Sequence, residues 1–290
     1  MKKKLISLAM AVAMIIPSVS CAKTKTPQLD GYKLLWSDEF DGNGRPDSTT
    51  WNYEQGFVRN HEAQWYQWQN AYLQDGVLVI EARREERPNP TYRPDATHWG
   101  QQRQTIYYTS ACLTTKGKYA FLYGRLDVCA RIPTAGGAWP AIWTLGSGME
   151  WPSCGEIDLM EYYRIKGVPH ILANVAWGND QRYQAVWNCK RVDYAHFIER
   201  DPNWAQHFHV WRMDWDETYI RLYLDDELLN EVPLASTVNG SIGHYKNPFN
   251  SPQYILLNLA LGGDNGGTID DGAFPMRYEI DYVRVYEAVR

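Results

Sequence analysis

The chain has 290 residues, 44% hydrophobic and 22% charged, with a formal net charge of −5 and a pI near 5.8. That balance is ordinary for a soluble globular protein and argues against a nucleic-acid binder, which would carry a basic patch or stripe. The aromatic load, 13 Trp and 20 Tyr, is high; a large β core absorbs many such rings, but faces with a polar tip also suit a binding cleft.

Lys2, Lys3 and Lys4 form a basic start, Leu5 to Ile16 an apolar run, and small residues lead to Cys21. This is too short and wrongly flanked for a spanning helix and reads as a targeting segment. Ser18-Val19-Ser20-Cys21 resembles a bacterial lipoprotein processing site, with Ser18 where Leu is usual. The expectation is a signal peptide over 1–21, lipidation at Cys21, a tether over 22–29 and one catalytic domain over 30–290. It makes the protein an exported, outer-membrane-anchored lipoprotein of a Gram-negative bacterium, on the cell surface or the periplasmic face, touching membrane only through its lipid. An ordinary secretory signal cleaved nearby is the other reading. Cys112, Cys129, Cys154 and Cys189 allow two disulfides in three pairings, or isolated buried thiols.

Beyond the leader, runs with a period of two dominate: Val77 to Ala82, Gly124 to Arg131, Tyr219 to Leu224 and Tyr278 to Glu287. Turn residues separate them at Asp75-Gly76, Lys116-Gly117-Lys118 and Asp225-Asp226. Helical candidates are short, such as Asp201 to Gln206. Many short strands without long helices predict two packed antiparallel sheets, a sandwich or jelly roll, in one domain. Residues 84–104 and 177–207 are polar and aperiodic, and read as long binding loops.

The densest chemistry is Gly155-Glu156-Ile157-Asp158-Leu159-Met160-Glu161. On a strand Glu156 and Asp158 share one face while Ile157 and Leu159 take the other. Strict alternation sends Glu161 to the wrong face, and one extra residue, a β-bulge, brings it back; bulges gather beside active sites. Two carboxyl groups about 5–5.5 Å apart are what a retaining glycosidase needs. A calcium cage would need six to eight oxygens, usually including loop carbonyls, more than a strand supplies. A solvated acidic face sits poorly among Ile157, Leu159 and Met160. Upstream, Trp139 and Trp143 share strand parity, so they either flank the acids as a platform or lie together in the core. Trp151 and Pro152 add apolar wall, and sugar rings have apolar C–H faces that such walls suit.

Trp-Pro-Ala-Ile-Trp-Thr-Leu at 139–145, followed by Gly-Glu-Ile-Asp-Leu-Met-Glu at 155–161, resembles glycoside hydrolase family 16. Trp36 to Phe40 is similar to the family's opening strand, Glu279 to Tyr286 to its closing one, and Asn60 to Tyr66 to a segment lining the donor side of its cleft. The resemblance covers nearly all of 32–288. It implies an all-β jelly-roll sandwich of two antiparallel sheets, the concanavalin A-like lectin/glucanase fold, with a concave substrate cleft. It further implies Glu156 as nucleophile, Glu161 as acid/base and Asp158 as the group that positions the nucleophile. Trp139 and Trp143 would be sugar platforms, with Asn60 and Glu62 nearby. A structural calcium is implied at Glu39, Gly76 and Asp281, with no cofactor required for the chemistry.

One departure stands out. Ala176 occupies the place where many laminarinases carry a histidine, so the acceptor side is expected to differ, with Trp177 and the 178–207 loop contributing. The implied activity is endo-cleavage of a β-1,3- or mixed-linkage glucan by a monomer; the alternative is an endo-β-galactosidase on mucin-type or related host glycans. Agarase or carrageenase activity would need positive residues placed for sulfate, which the sequence does not locate. A glycan-binding lectin with the same fold would have no need of all three acids.

Overall fold

The protein is described by a computed structural model covering residues 29–289. The expected leader and Cys21 lie outside the described residues. The chain begins with β1 (Tyr32–Asp38), β2 (Asn52–Tyr53), β3 (Gln64–Tyr66), β4 (Ala71–Gln74) and β5 (Val77–Pro88). It continues through β6 (Thr105–Ser110), β7 (Cys112–Thr114), β8 (Gly124–Arg131), β9 (Ala138–Gly146) and β10 (Glu156–Ile165). Next come β11 (Val168–Gly178), β12 (Ala185–Asp193), β13 (His209–Trp215) and β14 (Tyr219–Leu224). The last strands are β15 (Glu227–Pro233), β16 (Gln253–Leu261) and β17 (Met276–Ala288).

These strands make two sheets. One has seven strands in the order β12-β11-β10-β9-β16-β7-β2. The other has ten, with β15-β14-β13-β8-β17-β5-β6-β3 as its main path and β1 and β4 pairing with β17 and β5. Pairing is antiparallel apart from β3 with β6. This is the all-β jelly-roll sandwich that the alternation predicts. Non-adjacent strands lie side by side, as β9 does with β16, because both chain ends return into the sheets.

Alternation has a direct physical result. In β13 and β14 every second residue is buried, and Trp211, Met213, Ile220 and Leu222 enter the same core as Leu78, Ile142, Val175 and Leu257. Fully burying one such aliphatic side chain is worth roughly 1.5–3 kcal/mol, so the two facing layers hold the sheets together. β16 is buried along its whole length. Its odd positions such as Ile255 and Leu257 face the core, while Tyr254 and Leu256 join a second cluster with Tyr66 and Trp143 on the opposite face. A central strand covered on both sides marks where a wall has been built over the sheet.

The turns fall as expected. Asp75 and Gly76 take positive φ (52° and 78°) between β4 and β5, and Asp225 and Asp226 (46° and 67°) between β14 and β15. The two long loops are shorter than the sequence suggests. Arg84 to Pro88 extend β5, and Ala185 to Asp193 form β12. Because β12 lies at a sheet edge and is mostly solvent-exposed, its polar composition hides its period. The helical candidate at Asp201 to Gln206 is a single 3₁₀ turn over Trp204–Gln206, preceded by a short helix at Ala195–Ile198. Among the described residues, no helix is long and apolar enough to cross a membrane. Cys112, Cys154 and Cys189 are free thiols.

Candidate active site

β10 carries the bulge. Its pairing with β11 runs Glu156↔Ala176, Asp158↔Asn174, then shifts to Glu161↔Leu172; with β9 the shift falls between Asp158 and Met160. Leu159 and Met160 therefore both enter the core, beside Ile157 and Tyr162. Glu161 returns to the face of Glu156 and Asp158, and all three line one cavity of about 600 Å³. Burying two successive apolar side chains is what stabilises the kink. Gly155, with φ of 78°, admits the chain to this strand; a Cβ there would lie 2.8 Å from Pro248.

The neighbouring strands supply the donors around these acids. The Trp139 indole N–H donates to Glu161 Oε1 (2.9 Å), and Asn174 Nδ2 donates to Glu161 Oε2 (2.9 Å). Trp151 Nε1 donates to Glu156 Oε2 at 2.5 Å. Trp143 lies one strand from Asp158 and is held by donating to Asn258 Oδ1 (2.7 Å), whose amide in turn donates to Tyr66 (3.0 Å). On the β16 side, Asn60 donates to Glu62 Oε1 (3.2 Å) and Gln64 to Glu62 Oε2 (2.7 Å). Asp264 N donates to the Asn60 carbonyl (2.9 Å), and Gly263 makes that approach possible, since a Cβ on it would stand 2.5 Å from that oxygen.

Three carboxyl groups on one dry face cannot all be ionised. Burial pushes Glu161 up to about 7, with the charge of Glu156 adding to the rise; the Trp139 and Asn174 hydrogen bonds oppose it without cancelling it. Burial, then the charges of Glu156 and Glu161, push Asp158 well above its ordinary value and favour its protonated form. Burial also raises Glu156, against the Trp151 and Asp158 hydrogen bonds and the Arg59 guanidinium. Glu156 is thus the acid with the most support for a negative charge. A site with one favoured carboxylate and one acid poised near neutrality can pair a nucleophile with a proton donor.

A sequence profile described as glycosyl hydrolases family 16 matches residues 57–284. The chain belongs to that family. A β-glucanase of Rhodothermus marinus is 33% identical over all of this chain and 97% of its own length. The glucan endo-1,3-β-glucosidase A1 of Niallia circulans is 32% identical, over 93% of this chain and 40% of its own, so the matching unit is a part of that longer protein. One solved structure concerns endo-acting O-glycanases that prominent members of the human gut microbiota express to initiate mucin breakdown. It is 33% identical, with a TM-score of 0.78, covering 89% of this chain and 92% of that one. The protein is a glycoside hydrolase.

Within this family 16 sandwich, Glu156, Asp158, Glu161, Trp139, Trp143, Asn60 and Glu62 converge on the cavity. Trp177 does not. It follows Ala176 by one residue, so it points to the other face of β11 and lies in the core with Val175. The tryptophan that lines the cavity beside this strand is instead Trp187, which stands opposite Ala176 on β12 and is 43% exposed. Parity across the 178–185 hairpin was the signal that could have found it. Sequence reasoning also missed Arg59, Tyr163, Asn174, Arg191 and Asn258, all of which line the cavity. Ala176 offers no polar group, and Asn174, two residues earlier, reaches Glu161.

The residues expected to hold calcium do not line the cleft. Asp38 pairs with Val283 and Ile280 with Leu78, so Glu39, Gly76 and Asp281 come from adjoining parts of the ten-stranded sheet. Arg284 binds both oxygens of Glu39 (2.9 and 2.7 Å), leaving its main-chain carbonyl as the donor it would offer. Asp281 is fully buried. Carbonyls and one carboxylate are the hard oxygens calcium takes. Among the described residues, no group of three or more His, Cys, Asp or Glu side chains could hold a metal.

Proposed function

We propose that the protein is a retaining endo-β-glycanase in which Glu156 is the nucleophile and Glu161 the acid/base. The observation that carries this reading is the bulge between Asp158 and Glu161, which turns Glu161, raised to about 7, onto the face of Glu156. Glu161 gives its proton to the leaving glycosidic oxygen as Glu156 Oε attacks the anomeric carbon. The glycosyl–enzyme ester that forms has lost the Glu156 charge. Loss of that charge favours the carboxylate that Glu161 has become on giving up its proton. Glu161 takes a proton from the incoming water as the water displaces Glu156 from the anomeric carbon. Asp158, buried beside Glu156, favours the charged form of that carboxylate and helps to fix which oxygen faces the sugar. Trp139, Trp143 and Trp187 offer ring faces to the apolar sides of the sugars, with Asn60 and Glu62 bonding hydroxyls on the donor side.

A β-1,3- or mixed β-1,3/1,4-glucan is the substrate this reading favours, supported by the likeness to the R. marinus and N. circulans enzymes along most of the chain. A second reading, an endo-β-galactosidase on mucin-type or related host glycans, is favoured by the 0.78 TM-score to the O-glycanase structure and by Ala176 on the acceptor strand. Reducing-sugar release from laminarin, barley glucan and mucin glycans separates the two. Product sizing tests endo-cleavage, and proton NMR of the first-formed anomer tests retention; an inverted first product would refute the nucleophile.

Three further proposals concern the whole protein. Calcium would be held by the carbonyls of Glu39 and Gly76 and by Asp281, tying β1 to β17 without taking part in the chemistry; a melting temperature unmoved by chelator would refute it. Cys21 would carry the lipid that anchors an exported protein to the outer membrane, which metabolic labelling with a fatty-acid analogue tests against Cys21→Ser. A monomer is expected, and sedimentation measures it.

A further inference from the structure

The registers of β10, β11 and β12 set three rows across the acceptor half of the cleft. They read Glu156–Ala176–Trp187, Asp158–Asn174–Cys189 and Glu161–Leu172–Arg191. Directly opposed residues share a face, so Arg191 projects on the same side as Glu161, two strands away. At about 4.8 Å per strand, its Cα is roughly 10 Å from that of Glu161 toward the acceptor side. Both residues line the cavity, as do Cys189 and Trp187.

The cavity holds two arginines, and they differ in what they already bind. Arg59 is ion-paired with Glu54 and lies over the Trp143 ring. Arg191 is exposed and makes no hydrogen bond or salt bridge among the described residues. Its field reaches Tyr163 and Cys189, whose ionised forms it favours, which places the guanidinium over the acceptor-side floor. Around it the cleft is acidic, with Glu62, Glu156, Asp158 and Glu161. An acidic cleft repels a charged glycan unless a cation sits where the charge would fall.

We propose that Arg191 reads an anionic substituent, a sulfate ester or a carboxylate, on a sugar bound beyond the cleavage point while Trp187 stacks on the same stretch of glycan. Guanidinium is a fork of donors suited to either oxyanion. The inference rests on the cleft assignment above and adds a substrate class to it. The plainer role for Arg191 is an edge-strand charge that discourages β12 from pairing with another chain. Lys190, on the opposite face of that strand and also exposed, serves that end without entering the cleft.

The test is a set of binding isotherms with the inactive Glu156→Gln protein. Its ligands are laminarihexaose, its 6-O-sulfated form and its C6-carboxylate form, each repeated on an N-acetyllactosamine backbone. On the backbone that binds, at least one anionic form should bind about tenfold more tightly than the neutral one, as expected for a charge-assisted hydrogen bond. The advantage should shrink as salt is raised. Which of the two is favoured identifies the oxyanion. Adding Arg191→Ala should bring the anionic-to-neutral ratio to about one with neutral affinity retained, and Arg191→Lys should keep part of it. A ratio near one in the parent, or a ratio unmoved by Arg191→Ala, overturns the role of Arg191. Failure of all laminarin ligands beside binding of the lactosamine series would instead overturn the glucan reading and leave the role of Arg191 to be judged on that series.

Discussion

Glu161 receives two hydrogen bonds that favour its ionised form, from Trp139 and Asn174, and yet is pushed up to about 7. Burial wins because the carboxyl lies on a face closed by tryptophans, and the charge of Glu156 acts in the same direction. The proton donor must be protonated at the start of each cycle, so kcat/KM should fall as pH rises through about 7. In Glu156→Gln the charge that helps to raise Glu161 is gone. Carboxyl NMR should then find Glu161 titrating lower than in the wild type but still above its ordinary range, because burial remains; an unchanged midpoint would separate the two groups. Glu161→Gln should lose about 10²–10⁴-fold in kcat on polysaccharide. Most of that loss should disappear with an aryl glycoside whose leaving group needs no proton. An equal loss on both substrates would remove Glu161 from the acid role.

At the scale of elements, the decisive feature is one extra residue in β10. Deleting Leu159 would remove the bulge and return the strand to strict alternation, Glu156-Ile157-Asp158-Met160-Glu161, which leaves Glu161 on the acidic face with Met160 alone on the core side between it and Asp158. The expected protein keeps its β-type circular dichroism, melts several degrees lower for the lost apolar burial, and retains hydrolysis. Complete loss of hydrolysis in that folded protein would mean that the extra residue does more than return Glu161 to the face of Glu156. The motif made this bulge legible, because only a shift of register lets three acids and two apolar residues satisfy both faces. Strand β14 was legible because its side chains alternate between a buried and a partly exposed face, and β5, β8 and β17 through the same period of two in their sequence, although β8 and β17 are largely buried on both faces. β12 was not, since an edge strand with a cleft on one side gains little from alternation. Trp177 was misplaced by the same gap: with β11 ending in a supposed loop, nothing fixed its face. The acceptor wall predicts that Trp187→Ala raises KM about tenfold or more, as loss of an aromatic platform does, with kcat nearly unchanged. A loss in kcat alone would place Trp187 elsewhere in the cycle.

Across the whole molecule, the acidic cleft is a cost that the sandwich carries. Glu156, Asp158, Glu161 and Glu62 are all raised by burial, so the folded state binds protons that the unfolded chain has released. When the native state holds more protons, stability falls as pH rises. For these groups the stability is present below the ordinary carboxylate range and is lost as pH climbs through the folded values, which for Glu161 means about 7. The carboxylates that are lowered, among them Glu81, Asp216 and Glu227, act in the opposite sense, but their stabilisation is lost only in acid, below the ordinary carboxylate range. The two sets leave a maximum on the mildly acidic side. Between pH 5.5 and 8 the melting temperature should therefore fall by several degrees, a shift of about 2–4 °C for each kcal/mol in a domain of this size. The variant combining Glu156→Gln, Asp158→Asn and Glu161→Gln should melt higher at pH 8 and lose most of that slope, while having no activity. Thermal melts of both proteins across this range decide it: parallel curves would mean that the cleft acids are ionised at no cost. The jelly roll would then owe nothing to the groups that its bulge brings together.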